Sequence, residues 1–288
     1  MHVRDEQPLT ARPPGASVRR PCTRRSGSTL TTQTRPTFWT LHGHPVPAVD
    51  ADEMREIDRV AVDETGPSLL QMMEHAGLEA AQTALDMLGR HWAERRVIVL
   101  AGSGGNGGGG LCAARHLATR GVTVLAVLTR PTTGVEGAVA AQLRTLREAP
   151  AQVIHWSDAF DVSEADLVID AVIGYGLRGA PRGAEMALIR AAQASLAPTL
   201  SLDVPSGVDA DTGAAPGVAV HPDRTLTLAL PKRGLRRGNA GELWLADLGI
   251  PPGVYARAGL AFPSPFGPSS RVELRYPEEG QPEGGAAS

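Results

Sequence analysis

Short, uninterrupted runs of apolar residues recur along this 288-residue chain, and helix-forming segments separate them. The runs lie at residues 97–101, 122–128, 167–170, 199–203, 225–230 and 242–246. A strand with one face in solvent alternates between apolar and polar residues, whereas a continuous apolar run is typical of a strand covered on both faces. The pattern therefore predicts an α/β fold, a three-layer sandwich with a mostly parallel central sheet.

Two helices are predicted ahead of this alternating part. Asp50 with Glu53 three residues later is a capping-box pattern, which favours a helix start at that point. The pair Gly66–Pro67 ends this first helix. Pro67 suits the first position of a second helix, which we expect to run to about Leu88.

The two ends of the chain differ in composition from the middle. Residues 1–43 are rich in Arg, Pro, Ser and Thr, have no apolar periodicity and contain no export-signal core, so they predict a disordered leader. Residues 253–288 are rich in Pro and Gly and are predicted to be a tail. The folded domain is expected to occupy residues 44–252.

Composition excludes several classes of protein. The formal net charge of -3 indicates neither a nucleic-acid partner nor a membrane surface. No run of about 18 apolar residues is present, so no membrane span is predicted. The two cysteines lie far apart and form no disulfide framework or zinc-binding spacing, so we expect a reducing, cytoplasmic environment.

A glycine-rich segment at residues 102–110 directly follows the run at 97–101 and precedes a helix expected from about 110 to 120. Its spacing matches the dinucleotide fingerprint G-x-G-x-x-G, in which glycines let the backbone approach a phosphate at a helix N-terminus. A flexible turn is the alternative interpretation. The next strand ends without the acidic residue that a plain dehydrogenase uses for the ribose, since Arg130 follows it.

Acidic residues follow two further predicted strands. Asp170 ends one strand and Asp203 ends the next, and burying either carboxylate is costly unless it is paired or bound to a cation. In open parallel sheets, ligands bind beyond the carboxyl ends of the strands. The alternatives are that Asp170 caps its own loop and that residues 203–207 form a simple turn. Lys232 follows another strand, where a solvated charge is the ordinary interpretation.

Five segments in this order resemble the YjeF N-terminal domain family, which includes the NAD(P)H-hydrate epimerases. They are residues 72–77 (MMEHAG), 102–110, 170–176 (DAVIGYG), 203–207 (DVPSG) and 230–232 (LPK). The resemblance runs from about residue 46 to 251. It implies a Rossmann-like fold and, as substrate, hydrated NADH or NADPH carrying a hydroxyl group on the nicotinamide ring. The implied reaction interconverts the R and S forms at that ring carbon.

The resemblance also implies a set of site residues. A potassium ion would be held by Asn106, Asp170 and Ser206, whose oxygens suit a hard cation. Asp203 is the expected general base, with Lys232 as a supporting charge. The residues expected to bind substrate are Gly105, Asn106, Gly107, Gly108, Gly109, Gly174, Tyr175, Gly176, Leu177, Arg178, Gly179, Ala180 and Asp203.

Three positions depart from the pattern of the family. Gly105 and Gly109 stand where the family typically has Asn and Asp, and His75 stands where Asn is common. These departures leave open a non-catalytic member that binds a nucleotide or a protein partner. A redox enzyme that uses intact NAD(P) is a further alternative. The partners implied for an epimerase are a separate ADP- or ATP-dependent dehydratase and a second copy of the chain, paired through the N-terminal helices.

Overall fold

A computed structural model describes residues 35–157 and 159–282 of the chain. Most of the predicted leader and the last six residues of the predicted tail lie outside this described part. Within it, ten strands form one sheet in the order β2-β1-β10-β9-β8-β7-β6-β3-β4-β5. The strands are β1 (Thr37–Thr40), β2 (Pro45–Pro47), β3 (Arg96–Ala101), β4 (Thr123–Leu128), β5 (Ala151–His155), β6 (Leu167–Ala171), β7 (Thr199–Leu202), β8 (Arg224–Leu228), β9 (Glu242–Ala246) and β10 (Arg271–Arg275).

The strands from β5 across to β9 are all parallel, and the other three extend one edge in antiparallel pairs. Successive residues of β3 point to opposite faces: Val97 and Val99 enter one apolar core, whereas Ile98 and Leu100 enter the other. Both faces of the parallel part are therefore covered, which confirms the α/β sandwich with a mostly parallel sheet.

Helices lie on both faces of this sheet. Those of the described residues are α1 (Ala51–Arg59), α2 (Leu69–Leu88), α3 (Gly105–Thr119), α4 (Gly137–Leu146), α5 (Gly183–Ala194), α6 (Arg237–Ala240) and α7 (Pro252–Arg257). The helices α2, α3 and α4 pack side by side over one core, and α5 contributes Leu188 and Ile189 to the other. No helix in the described ranges is both long enough and apolar enough to cross a bilayer.

The predicted helical pair is present, with one change at the second helix. Asp50 caps α1 and exchanges hydrogen bonds with Glu53, as the capping-box pattern predicts. The chain continues from α1 through a π-helical turn at Val60–Thr65. Ser68 is the N-cap of α2 and exchanges hydrogen bonds with Gln71, so Pro67 precedes the cap and the prediction that it occupies the first helical position is wrong.

The predicted boundaries at residues 44 and 252 are wrong. The strand β1 lies within the predicted leader, and β10 lies within the predicted tail and pairs with both β9 and β1. Phe38 and Tyr276 are fully buried with their ring centroids 5.9 Å apart, so the two segments stabilise each other. Strands of four or five residues that pair across more than 200 residues leave little local signal in the sequence.

The helix α3 begins at Gly105, five residues before the predicted start. Glycine is required here because the helix packs against the loop and strand that precede and flank it. A Cβ atom on Gly107 would lie 1.9 Å from the carbonyl oxygen of Gly102, and one on Gly110 would lie 2.5 Å from Cβ of Ala171. The glycines therefore serve close packing inside a helix as well as a loop.

Candidate active site

A cleft of about 520 Å³ opens at the carboxyl ends of the parallel strands. The cleft lies where the strand order reverses. The strands β4 and β5 add to one side of β3, and the strands from β6 onward add to its other side. In sheets of this type such a switch point is the usual ligand site. The polar residues and glycines that line it include Arg55, Asp58, Ser103, Gly104, Gly105, Asn106, Gly109, Gly174, Tyr175, Gly176, Glu185, Asp203 and Lys232.

Asp170 and Ser206 are in direct contact beneath the cleft. The Asp170 carboxylate, fully buried, accepts hydrogen bonds from the Ser206 hydroxyl at 2.5 Å, the Ser206 amide at 2.9 Å and the Ser201 hydroxyl at 2.8 Å. Among the described residues these donors are all neutral. Burial raises the pKa of Asp170, and the hydrogen bonds from Ser206 and Ser201 oppose that rise. Asp170 and Ser206, two of the residues predicted to hold one ion, are therefore adjacent in the fold.

Asn106 lies in the first turn of α3, at the floor of the cleft. Its side-chain oxygen and nitrogen are both buried and have no hydrogen-bond partner among the described residues. Leaving a buried amide without a hydrogen-bond partner costs about 1–3 kcal/mol of stability. Such an amide is typical of a ligand-binding position. The preceding N-cap, Gly104, supplies no side chain to the free amides of this turn, which suits an anionic group such as a phosphate.

Asp203, which lies near Gly174 as Asn106 does, has a strained backbone conformation. Its φ of 69° lies in the left-handed region, which a non-glycine residue seldom adopts. One carboxylate oxygen forms an ion pair with the ammonium group of Lys232, and both side chains are buried. The other oxygen accepts a hydrogen bond from the backbone amide of Tyr175 at 3.0 Å. Lys232 also donates to the carbonyl of Leu228 at 2.9 Å, so it is a buried partner of Asp203 and not a solvated charge.

Gly174 allows these groups to converge. A Cβ atom on Gly174 would lie 2.8 Å from Oδ2 of Asp203 and 3.3 Å from Cγ of Asn106. A larger residue would therefore displace one or both side chains. The absence of a side chain at this position lets the loop after β6 close against the ends of β3 and β7.

Asp58 and Tyr175 form a second pair in the cleft. Tyr175 is among the predicted substrate-binding residues, whereas Asp58 was not predicted. The Tyr175 hydroxyl donates to Oδ2 of Asp58 at 2.6 Å. Burial raises the pKa of Asp58, partly offset by that hydrogen bond and by the positive charge of Lys232. A signal was present in the sequence, since Asp58 lies four residues after Met54 on the apolar face of α1.

The structure does not bring all of the predicted substrate-binding residues to the cleft. Gly107 and Gly108 are buried inside α3, where Gly108 faces the side chain of Met73. Four more of the predicted residues follow Gly176 along the loop and do not line the cleft: Leu177, Arg178, Gly179 and Ala180. The others of the predicted set, and both predicted catalytic residues, line the cleft.

The two glycines that depart from the family pattern lie in different surroundings. A Cβ atom on Gly105 would meet only Cε of Met73, at 3.9 Å, so this position has room for a side chain. A Cβ atom on Gly109 would lie 2.9 Å from Cδ2 of Leu202. Leu202 therefore fills the space beside Gly109, and an acidic side chain there would require Leu202 to move.

A separate cluster joins α2 to α3 outside the cleft. Glu74, Cys112 and His116 bring potential metal-ligand atoms within 4.8 Å of one another. The guanidinium group of Arg115 already contacts all three, at 2.5 Å from Glu74 Oε1 and 3.3 Å from both Cys112 Sγ and His116 Nε2. Burial and the neighbouring Glu74 raise the pKa of the Cys112 thiol to about 12, so it stays protonated. The positive charge of this cluster is therefore the guanidinium group of Arg115.

Comparison with known proteins gives a consistent result. Residues 69–234 match the family described as YjeF-related protein N-terminus. A protein of Dehalogenimonas lykanthroporepellens named NAD(P)H-hydrate epimerase is 50% identical over 243 residues, which are 84% of this chain and 98% of that protein. A protein of Limosilactobacillus fermentum with the same name is 36% identical, and the match covers 69% of this chain and 96% of that one.

Larger relatives and a solved structure match as well. The bifunctional NAD(P)H-hydrate repair enzyme Nnr of Salinibacter ruber is 36% identical over 74% of this chain, but the match spans only 42% of that longer protein. The crystal structure of yeast ynu0 (YNL200c) superposes with a TM-score of 0.67 at 23% identity, covering 79% of this chain and 99% of that one. At this identity the likeness concerns the fold alone.

Proposed function

This chain belongs to the family of YjeF-related protein N-termini, and we propose that it interconverts the R and S epimers of hydrated NADH and NADPH. The relatives that it covers over nearly their whole length are named for this activity. The reaction is an isomerisation, so no hydride is transferred. The absence of an acidic residue at the end of β4 is consistent with this reaction, since the dehydrogenase ribose contact is not needed for it.

The observation that carries the proposal is the convergence of Asn106 and Asp203 on Gly174 in the cleft. The damaged nicotinamide ring carries its hydroxyl group on the carbon next to the ring nitrogen. Inverting that carbon requires the loss of one configuration and proton transfer to and from oxygen. Asp203, in an ion pair with Lys232 and fixed by the amide of Tyr175, is a suitable general base.

The phosphates of the dinucleotide would bind at the start of α3. Ser103, Gly104 and Gly105 line the cleft there, and the first-turn amides of the helix are available as donors. This contact uses the backbone only, so it does not depend on the side chains that the family typically carries at 105 and 109.

We extend the proposal to a potassium ion held by Asn106, Asp170 and Ser206. Two features favour it: the unpaired buried amide of Asn106, and the fully buried Asp170 carboxylate whose donors among the described residues are neutral. Their amide, carboxylate and hydroxyl oxygens are the donors that a hard cation prefers. When bound, the ion would supply positive charge that offsets the burial of Asp170 and orients the Asn106 side chain.

A dehydratase that consumes one epimer is the partner activity that fits this reaction. Relatives named bifunctional repair enzymes carry additional sequence beyond the matched region, which supports a coupling of two activities. That the dehydratase acts here as a separate protein, and that the chain forms a homodimer, remain predictions.

A coupled assay tests the proposed function. A mixture of the two hydrate epimers is treated with an excess of a dehydratase that removes only one of them, with and without this protein. We expect the second epimer to disappear much faster when the protein is present. Persistence of that epimer, together with measurable binding of the hydrate, would instead support a non-catalytic member, for which Gly105 and Gly109 are the motivating observation. A change in nicotinamide oxidation state would support a redox enzyme.

A further inference from the structure

We propose that Tyr175 and Asp58 form the proton-donating side of the active site, opposite in role to Asp203. Tyr175 would deliver a proton to the hydroxyl group that leaves the nicotinamide ring, and Asp58 would replace that proton on Tyr175. This inference rests on the proposed epimerase function and assigns it a second acid–base group.

The symmetry of the reaction requires such a group. The two epimers differ only in which face of the ring carries the hydroxyl, so an enzyme that converts each into the other needs a proton-transfer group for departure and another for addition. A single carboxylate at Asp203 provides one of them. Asp58 and Tyr175 line the same cleft, contact each other and are not held in the ion pair with Lys232.

The contacts of Tyr175 connect the two sides. Its backbone amide donates to Oδ2 of Asp203 at 3.0 Å, and its hydroxyl lies 2.6 Å from Oδ2 of Asp58. The two carboxylates therefore lie at opposite ends of Tyr175, Asp203 at its backbone amide and Asp58 at its hydroxyl group. Asp58 and Asp203 come from unrelated elements, α1 and the end of β7, and all three residues line the cleft.

The environments of the two carboxylates suit opposite tasks. Asp203 forms a buried ion pair with the ammonium group of Lys232 and lines the cleft. Asp58 accepts its hydrogen bond from a neutral phenol, and burial raises its pKa, which favours the protonated form. Two carboxylates that line one cleft in such different surroundings are typical of an acid and base pair.

The proposed step balances in atoms and charge. The lone pair of the ring nitrogen forms a C=N bond while the bond from carbon to the hydroxyl oxygen breaks. The departing oxygen takes the proton of the Tyr175 hydroxyl and leaves as water, and Tyr175 takes the proton of the Asp58 carboxyl group. Water then adds to the other face of the iminium carbon, and Asp203 accepts the proton that this water releases. Conversion in the opposite direction follows the same path in reverse, starting with Asp203 protonated and Asp58 ionised.

Several charged or titratable groups surround the pair of Asp58 and Tyr175 and therefore bear on the pH dependence. The group on its own helix is Arg55, whose guanidinium carbon lies 5.9 Å from the centroid of the Tyr175 ring. The groups from other elements are Tyr175, Asp203, Lys232 and Tyr255. Lys232 opposes the rise in the pKa of Asp58 and Asp203 reinforces it, but burial is the largest influence. An acid must be protonated to act, so the rate should fall as the pH rises through this raised pKa.

The test compares Asp58→Asn and Tyr175→Phe with the wild-type protein in the coupled assay. Both substitutions keep the size of the side chain, and Tyr175→Phe keeps the backbone contact to Asp203. We expect kcat to fall by about 100-fold in each variant, the lower part of the range for a positioned acid or base. The double variant should lose little more than either single one, because residues that act as a unit are not additive.

The pH profile separates a chemical role from a structural one. Rates are measured from about pH 5 to about pH 9, a range that lies above the ordinary pKa of an aspartate, so a fall within it reports a raised pKa. The wild-type rate should fall on the alkaline side, and the residual rate of Asp58→Asn should not show that fall. Thermal unfolding and hydrate binding, measured on the same samples, should stay close to wild type. Asp63→Asn, an exposed acid on the turn after α1, is the matched control.

The outcomes are distinct. Asp58→Asn with at least half of the wild-type kcat, or with an unchanged alkaline fall in a wild-type-like fold, would overturn this inference and leave the epimerase function intact. A wild-type protein that does not epimerise the hydrate would contradict the proposed function itself.

Discussion

The pair of Asp203 and Lys232 at the cleft and the pair of Glu74 and Arg115 between α2 and α3 are both short ion pairs near the same helix, α3. The first pair is almost completely buried, whereas the side chain of Glu74 is 45% exposed. Asp203 has a left-handed backbone conformation, and Asn106 beside it has no hydrogen-bond partner among the described residues. In the second cluster, the arginine occupies the position that an added ligand would need.

The difference shows how a functional cluster can be separated from a structural one that contains similar residues. Strain, burial of charge and an unpaired amide all cost stability, and the fold tolerates them where a ligand binds. A cluster whose charges satisfy one another between two helices needs no ligand. Residue type alone would favour Glu74, Cys112 and His116, which form a more familiar ligand set than the proposed potassium ligands Asn106, Asp170 and Ser206.

Replacing Asp203 with Asn should have the largest effect. Asn keeps the shape of the side chain but cannot accept a proton, so kcat for epimerisation should fall by about 1000-fold, or about 4 kcal/mol in activation free energy. The coupled assay measures the rate, with Asp63→Asn as control. A variant with near wild-type turnover would show that Asp203 takes no part in the reaction. The contrast between the two clusters would then no longer hold.

Replacing Lys232 with Met should mainly affect stability. The substitution leaves the carboxylate of Asp203 buried without its cation, which should lower the free energy of unfolding by about 3 kcal/mol. Urea denaturation measures this loss. The double variant Asp203→Asn with Lys232→Met removes both charges, so we expect it to regain at least half of the lost stability. A double variant as unstable as Lys232→Met alone would show that packing, and not the ion pair, explains the loss.

Replacing Asn106 with Ala should reduce the response to potassium. We expect the wild-type melting temperature to rise with potassium chloride more than with sodium chloride, because a bound ion stabilises the folded state. Loss of the amide oxygen should weaken potassium binding by about tenfold, equal to about 1.4 kcal/mol. Identical melting curves of the wild-type protein in the two salts would contradict the potassium proposal but not the epimerase function.

Replacing Arg115 with Gln should give the smallest effect. Its ion-pair partner Glu74 is partly exposed, so we expect a loss of about 1 kcal/mol in the free energy of unfolding and no change in epimerisation. Denaturation and the coupled assay measure the two quantities on one sample. A clear fall in kcat at unchanged stability would mean that the cluster between α2 and α3 contributes to catalysis.

The sequence was a good guide where the signal is local. The capping box at Asp50, the apolar strand at 97–101 and the strand that ends in Asp170 were all predicted within one or two residues of the observed elements. Continuous apolar runs reveal a strand covered on both faces, and capping residues reveal a helix start, because both depend on neighbours in the chain. The short antiparallel strands β1 and β10 lack such signals and were missed.

The site was predictable in part for the same reason. Asp170 and Asp203 could be found because each directly follows a parallel strand, and parallel strands end at one edge of the sheet. Asp58 was missed because it lies on a helix and not at the end of a strand, and only the packing of α1 against the loop after β6 brings it to Tyr175. Lys232 was undervalued because its burial depends on residues almost 30 positions away.

By itself, the sequence determined the parallel α/β architecture and the strand ends at which acids and glycines gather, since both follow from short-range periodicity and from the geometry of parallel strands. Only the tertiary structure decided which titratable side chains pair with one another in the cleft. Those depend on burial and on distances between segments far apart in the chain, which determine whether a charge is paired, strained or left free for a ligand.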